Sequence, residues 1–153
     1  MAEGEKLIAT HRKAHFNYEI LEKFEAGIIL QGSEVKAIRE GRVNLADSYV
    51  SFKRNEAWLL NLQIQAYSHA SPFNNHDPKR ERKLLLHQHE IEFLDAQIQT
   101  KGLTLIPLRL YFKKGKAKIE LGLARGKKLF DKRETLKKRE TERDLQKVFK
   151  YKR

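Results

Sequence analysis

The sequence predicts a mainly β domain: a small closed barrel with two or three helices and a flexible basic C-terminal tail. Three observations carry that reading. Apolar and polar residues alternate with period two through the middle of the chain, as in half-buried strands. Two stretches with apolar residues at helical spacing interrupt the alternation. From Gly126 to Arg153 the chain holds eight Lys and four Arg against two Asp and three Glu, which is +7 of its net +12.

The elements follow in order. Residues 1–13 lack a core-forming pattern and read as a loose N-terminal arm. Phe16 to Leu30 reads as extended, with Gly27 as a bend or bulge. Ser33 can cap a short helix in which Glu34 suits the positive N-terminus, Val35 and Ile38 share a face, and Gly41 is the stop. Tyr49 to Lys53 alternates and turns through Arg54-Asn55-Glu56. Leu60, Leu62, Ile64 and Ala66 then alternate with Asn61, Gln63 and Gln65. Tyr67 to Pro78, with two Pro and two His, reads as a surface loop. It ends in the basic cluster Lys79-Arg80-Glu81-Arg82-Lys83, which flows into Leu84-Leu85-Leu86. A longer helix runs from Gln88 to Thr100, with Ile91, Leu94 and Ile98 on one face and Gly102 past its end. A last hairpin sets Ile106, Leu108, Leu110 and Phe112 on one face, turns at Lys114-Gly115-Lys116, and returns through Ala117, Ile119, Leu121 and Leu123. Pro107 favours an edge or bulged position in it. Strands with a short inserted helix suggest a closed barrel of the oligonucleotide-binding (OB) type. A sandwich fits the same periodicity. The chain divides into an arm (1–13), a barrel (14–125) and a tail (126–153).

At 153 residues one domain is the default. The absence of cysteine excludes a disulfide framework, thiol catalysis and Cys-based metal sites. Neither a long apolar run nor a signal pattern is present, so a soluble cytoplasmic protein is expected. A pI near 9.9 points to a polyanionic partner, nucleic acid ahead of a membrane. No nucleophile elbow, phosphate loop or dinucleotide fingerprint occurs. His11 and His15 have helical spacing but no Glu between them, and His87 and His89 on a strand would point to opposite faces. No metal, no cofactor and no enzyme activity are expected. The loop ending in a basic cluster is where a barrel would grip a phosphate backbone. Between Leu136 and Leu145 there is no apolar side chain, so this stretch cannot offset its ordering entropy alone and reads as a tail that folds on binding. Leu145, Val148 and Phe149 form a small apolar face beyond it.

Five ordered blocks carry a resemblance. They are Phe24-Glu25-Ala26-Gly27 with Leu30-Gln31-Gly32-Ser33-Glu34-Val35-Lys36; Asn44-Leu45-Ala46-Asp47-Ser48-Tyr49-Val50; Asp77 through Leu86; and Gly126-Lys127-Lys128-Leu129-Phe130-Asp131-Lys132-Arg133. In this order and spacing the chain resembles the SmpB family, the SsrA-binding proteins of bacterial trans-translation, from Ala14 onward. The resemblance implies an OB barrel that holds the tRNA-like part of transfer-messenger RNA. Elongation factor Tu with GTP, bound to the RNA, would accompany the complex to ribosomes stalled without a stop codon. There the protein, a monomer, would stand in for the missing anticodon arm at the decoding centre while its tail probes the empty messenger channel.

Residue by residue, Glu25 matches an acidic position of the family's RNA-contacting surface and Leu85 a second contact. His87 sits where relatives often carry Asn; both can donate and accept in their neutral forms. Lys36, Arg39, Arg80, Arg82 and Lys83 complete the implied RNA set. In the tail, Asp131, Lys132 and Arg133 match the family's Asp-Lys-Arg motif, and Lys127 and Lys128 with the last two would meet ribosomal phosphates. Phe130 falls where several relatives carry His, and it keeps stacking possible. Composition alone would leave Glu25 an ordinary strand residue, Leu85 core, and Lys36 and Arg39 solvated. The alternative function is a structural ribosomal or general RNA-binding protein.

Overall fold

The structure is a computed structural model that describes residues 4–127, 133 and 136–143. Its elements are β1 (Glu5–Thr10), α1 (Ala14–Asn17), β2 (Tyr18–Ile28), α2 (Gly32–Arg39), β3 (Val43–Asn44), β4 (Tyr49–Lys53), β5 (Glu56–Leu60), β6 (Gln63–Ile64), β7 (Arg82–Leu85), α3 (Gln88–Lys101), β8 (Thr104–Lys113) and β9 (Lys116–Gly126). Both expected hairpin turns form. Arg54 and Asn55 have φ of 52° and 60°, and Lys114 and Gly115 have 51° and 76°. Positive φ at both central residues gives the turn twist that matches flanking strands.

Seven strands make one antiparallel sheet in the order β1-β8-β9-β2-β7-β5-β4, and β3 pairs with β6 alone. The mainly β reading is right, but the closed barrel is not formed. The sheet curls until β4 lies close to β8, yet no ladder joins them. On β8, β9 takes one edge along the whole strand, while β1 takes the other only along Arg109–Lys113. Within the expected N-terminal arm, Glu5–Thr10 is not loose: it docks on the edge of β8, where backbone pairing substitutes for apolar pattern.

The main core lies inside the curl, built from Leu59, Leu62, Ile64, Leu84, Leu94, Leu105, Leu110, Ile119 and Leu121. Two departures from the expected alternation shape it. Leu59, not Leu60, is fully buried, because Asn61 at φ 62° ends β5 and resets the phase before Leu62 and Ile64. On β8 a bulge between Pro107 and Arg109 flips the phase. Leu110 and Phe112 therefore join the main core, while Ile106 and Leu108 pack with Ala14 and Ala124 in a smaller cluster. Gly27 is neither bend nor bulge; it stays in register, and the irregularity of β2 falls between Ile20 and Glu22.

The helices keep their expected places with one change of cap. Gln31, not Ser33, caps α2, reciprocally with Glu34, and the buried side is Glu34, Ala37 and Ile38. In α3, Ile91 and Leu94 are buried and Gly102 ends the helix in the left-handed region. Arg133 and residues 136–143 are helical and exposed, and Arg139 lies 5.8 Å above the Phe16 ring. Lys128, Phe130, Asp131, Lys132, Leu145, Val148 and Phe149 lie outside the described residues. Among the described residues no helix is long and apolar enough to cross a membrane.

Candidate nucleic-acid interface

Strand alternation decides which side chains face away from the core. On β2, Ala26 and Ile28 are buried by the core, so Glu25 points outward and Gly27 falls on the same outer face, where it is covered. The register aligns Gly27 with Leu85 of β7 and Lys118 of β9, Glu25 with Glu120, and Lys83 with Trp58. A Cβ on Gly27 would stand 3.3 Å from the Leu85 side chain, so the glycine makes room for Leu85 to lie across the strand. Leu85 is nevertheless 55% exposed. An apolar side chain placed on the wet face of a sheet adds nothing to the core and is available to a partner.

Glu25 is held rather than loose. Tyr111 donates its hydroxyl to Glu25 Oε2 at 2.5 Å, and Lys113 Nζ lies 3.4 Å from the same oxygen. Arg109 sits 5.0 Å over the Tyr111 ring and pairs with Glu120 at 2.9 Å. The Tyr111 hydrogen bond outweighs desolvation and, with the charges of Lys113 and Lys118, holds the Glu25 carboxyl below the usual range. Burial and the neighbouring carboxylate push the Tyr111 hydroxyl up. The result is a carboxylate held in its charged form, with Oε2 occupied and, among the described residues, no hydrogen-bond partner on Oε1.

His87 caps α3: its N–H donates to Glu90 Oε1 at 3.1 Å. Its ring stacks on His89, centroids 5.5 Å apart and planes 9° off parallel. The opposite-faces reading of this pair is thereby corrected, because the strand ends at Leu85 and helical geometry brings the two rings together. Among the described residues no three His, Asp or Glu converge as metal ligands.

Arg82 is the clear misplacement. Its side chain is 0% exposed. Nε donates to Glu34 Oε2 at 2.6 Å, Nη1 to the Leu62 carbonyl, and Nη2 to the Pro78 carbonyl at 3.2 Å. Arg82 therefore cannot touch RNA; it ties β7 to α2. Arg80 is partly exposed and donates to Glu34 Oε1 at 2.5 Å. Lys83 remains on the outer face, 3.3 Å from Glu56. Lys36 lies 5.6 Å over the Tyr67 ring and Arg39 5.3 Å over Phe112. These two stand on α2, which packs against the inner side of the sheet.

A family profile described as SmpB protein matches residues 8–151. The chain belongs to the SmpB family. The SsrA-binding protein of Trichodesmium erythraeum (strain IMS101) is 54% identical over 148 residues, spanning 97% of this chain and 95% of that protein. That of Syntrophobacter fumaroxidans (strain DSM 10017 / MPOB) is 56% identical over 152 residues, 99% and 94% respectively. A solved chain described as "tmRNA-SmpB: a journey to the center of the bacterial ribosome" is similar at TM-score 0.68 and 49% identity, covering 81% of this chain and 87% of that one.

In this SmpB family member, then, Glu25, Lys83 and Leu85 share one face, with His87 just beyond the end of β7. Sequence reasoning missed Arg109, Tyr111 and Lys113, which build that face around Glu25. Their signal was present: they are the polar phase of β8, interleaved with Leu108, Leu110 and Phe112.

Proposed function

We propose that this chain is an RNA-binding adaptor that holds the tRNA-like part of transfer-messenger RNA and delivers it to stalled ribosomes for trans-translation. The observation that supports it best is the outer face, where exposed Leu85, the fixed Glu25 carboxylate and the basic side chains of Lys83 and Lys113 adjoin, with buried Tyr111 holding the carboxylate from beneath. Such a surface suits unstacked bases and 2′-hydroxyls better than a continuous duplex backbone. Its chemistry is binding, not turnover. The protein works as a cytoplasmic monomer, and elongation factor Tu with GTP joins it only through the RNA. The tail from Gly126 onward meets ribosomal RNA at the decoding centre and messenger channel, where Lys127, Lys128, Lys132 and Arg133 contact phosphates and Phe130 stacks on a base. Every described residue of its helix is exposed, which supports a tail that takes its order from the ribosome.

Competition binding tests the reading. The chain is expected to prefer a folded tRNA-like RNA over single strands and plain duplex at equal salt. Its affinity should fall about a hundred-fold between roughly 50 and 200 mM salt, as a handful of phosphate contacts requires. Equal affinity for all three RNAs would instead mark a general RNA-binding protein.

Glu25→Ala is expected to weaken this binding in a normally folded protein. Tyr111→Phe gives the sharper test, since it removes one hydroxyl. Glu25 has a depressed pKa in the folded protein, so an RNA contact that needs its carboxylate is lost only as pH falls through that low value. Without the Tyr111 hydroxyl the pKa rises, and the acid limb of RNA binding should move to higher pH. An unmoved limb would remove the pair from the interface.

A further inference from the structure

Residues 65–81, between β6 and β7, take no part in the outer face, yet they are tied down at several points. The Asn75 side chain closes the base of the segment, accepting from the Tyr67 N–H at 3.0 Å and donating to the Tyr67 carbonyl at 2.9 Å. Buried His76 lies with Nδ1 2.8 Å from Ser33 Oγ on α2 and Nε2 2.9 Å from the Ile64 carbonyl. Arg80 is anchored on Glu34, and Lys36 covers the Tyr67 ring. Ser33, Glu34 and Lys36, all on α2, thus hold this one segment.

At its tip a single 3-10 turn, Pro72–Asn74, carries Phe73, which is 98% exposed. A phenyl ring wholly in water contributes nothing to the fold that presents it. The segment's base is rigid, so the ring is offered at a defined place and little ordering is left to a partner. The surroundings favour a nucleic acid. Tyr67 and His69 form an edge-to-face pair at 5.4 Å, and Lys36 and exposed Lys79 lie on the same unit. Its acidic groups are engaged: Asp77 accepts from the Lys79 N–H, and Glu81 pairs with Lys53.

We propose that this segment is a second nucleic-acid contact, in which Phe73 stacks on an unpaired base while Lys36 and Lys79 meet neighbouring phosphates. The inference rests on the RNA-binding reading above. The base can come from the tRNA-like RNA or from ribosomal RNA, and the stacking chemistry is the same.

The test uses the full chain with Phe73→Ala, Phe73→Leu and Phe73→Trp, and Glu25→Ala alongside. One arm titrates an isolated tRNA-like RNA; the other measures binding of the preformed protein–RNA complex to ribosomes. Phe73 touches no core, so all variants should fold. Alanine and leucine are expected to weaken binding about ten-fold or more in one arm, and tryptophan to retain it, because stacking needs a π-face. Loss in the first arm assigns the base to the tRNA-like RNA, and loss in the second to the ribosome. Full affinity for Phe73→Ala in both arms overturns the proposal. So does full affinity for Phe73→Leu, which would mean an apolar pocket on a protein. If Glu25→Ala weakens binding and Phe73→Ala does not, this contact falls and the RNA-binding reading stands; a wild-type chain that binds neither probe overturns both.

Discussion

Glu34→Ala is expected to lower stability by about 3–5 kcal/mol, because it strands Arg82 as a buried, uncompensated charge. For a chain of this size that corresponds to a fall in Tm of roughly 10 °C or more. The carboxylate is 0% exposed and serves two guanidinium groups, Arg82 at 2.6 Å and Arg80 at 2.5 Å. Burial alone would raise its pKa, but the hydrogen bonds from Arg80 and the Gln31 N–H and the charge of Arg82 outweigh it and hold it low. A depressed folded-state pKa adds stability above the unfolded carboxylate value, and that stability is lost as pH falls through the folded value. Thermal melts at neutral pH check the magnitude, and melts across the acid range check the sign. Replacing Glu34 and Arg82 together by apolar residues of similar volume should recover most of the loss. A Glu34→Ala protein melting within a degree or two of the parent would show that water reaches Arg82.

Truncation after Arg125 is expected to leave most of the affinity for an isolated tRNA-like RNA and to abolish peptide tagging in a stalled-translation extract. The sheet ends at Gly126, and just beyond it the Lys127 N–H donates to the Asn17 carbonyl at 2.9 Å. That attachment lies at the far end of β2 from Gly27, so removing the tail takes nothing from the face around Glu25 and Leu85. It does remove seven net positive charges and, with them, every proposed contact in the messenger channel. Substituting Asp131, Lys132 and Arg133 together should act alike. Normal tagging by the truncated chain would make the tail a solvated extension.

Local pattern made much of this molecule legible. Both turns, the course of α3 and the inward set Ala117, Ile119, Leu121 and Leu123 follow from propensity and period two. What escaped were events that break a period, such as the left-handed Asn61 and the bulge at Pro107, and contacts set by distant partners. Arg82 looks like its neighbours Arg80 and Lys83 in sequence. Only Glu34, 48 positions away, distinguishes it, and no local signal announces that pairing. Leu85 was ambiguous for the same reason: a leucine inside Leu84-Leu85-Leu86 gives no phase, and the register with Gly27 supplies it. Glu25, Leu85 and the tail motif were assigned through family resemblance, whereas Tyr111 could have been found from alternation alone.

The pairing of β1 with β8 also bears on how the chain is made. The first strand, Glu5–Thr10, has its ladder partner at Arg109–Lys113, so it cannot dock until about two-thirds of the chain has followed it off the ribosome. Synthesis at about 5–20 residues per second leaves that strand waiting for several seconds. A contact spanning such a sequence distance closes slowly. A strand made early thus depends on one made late.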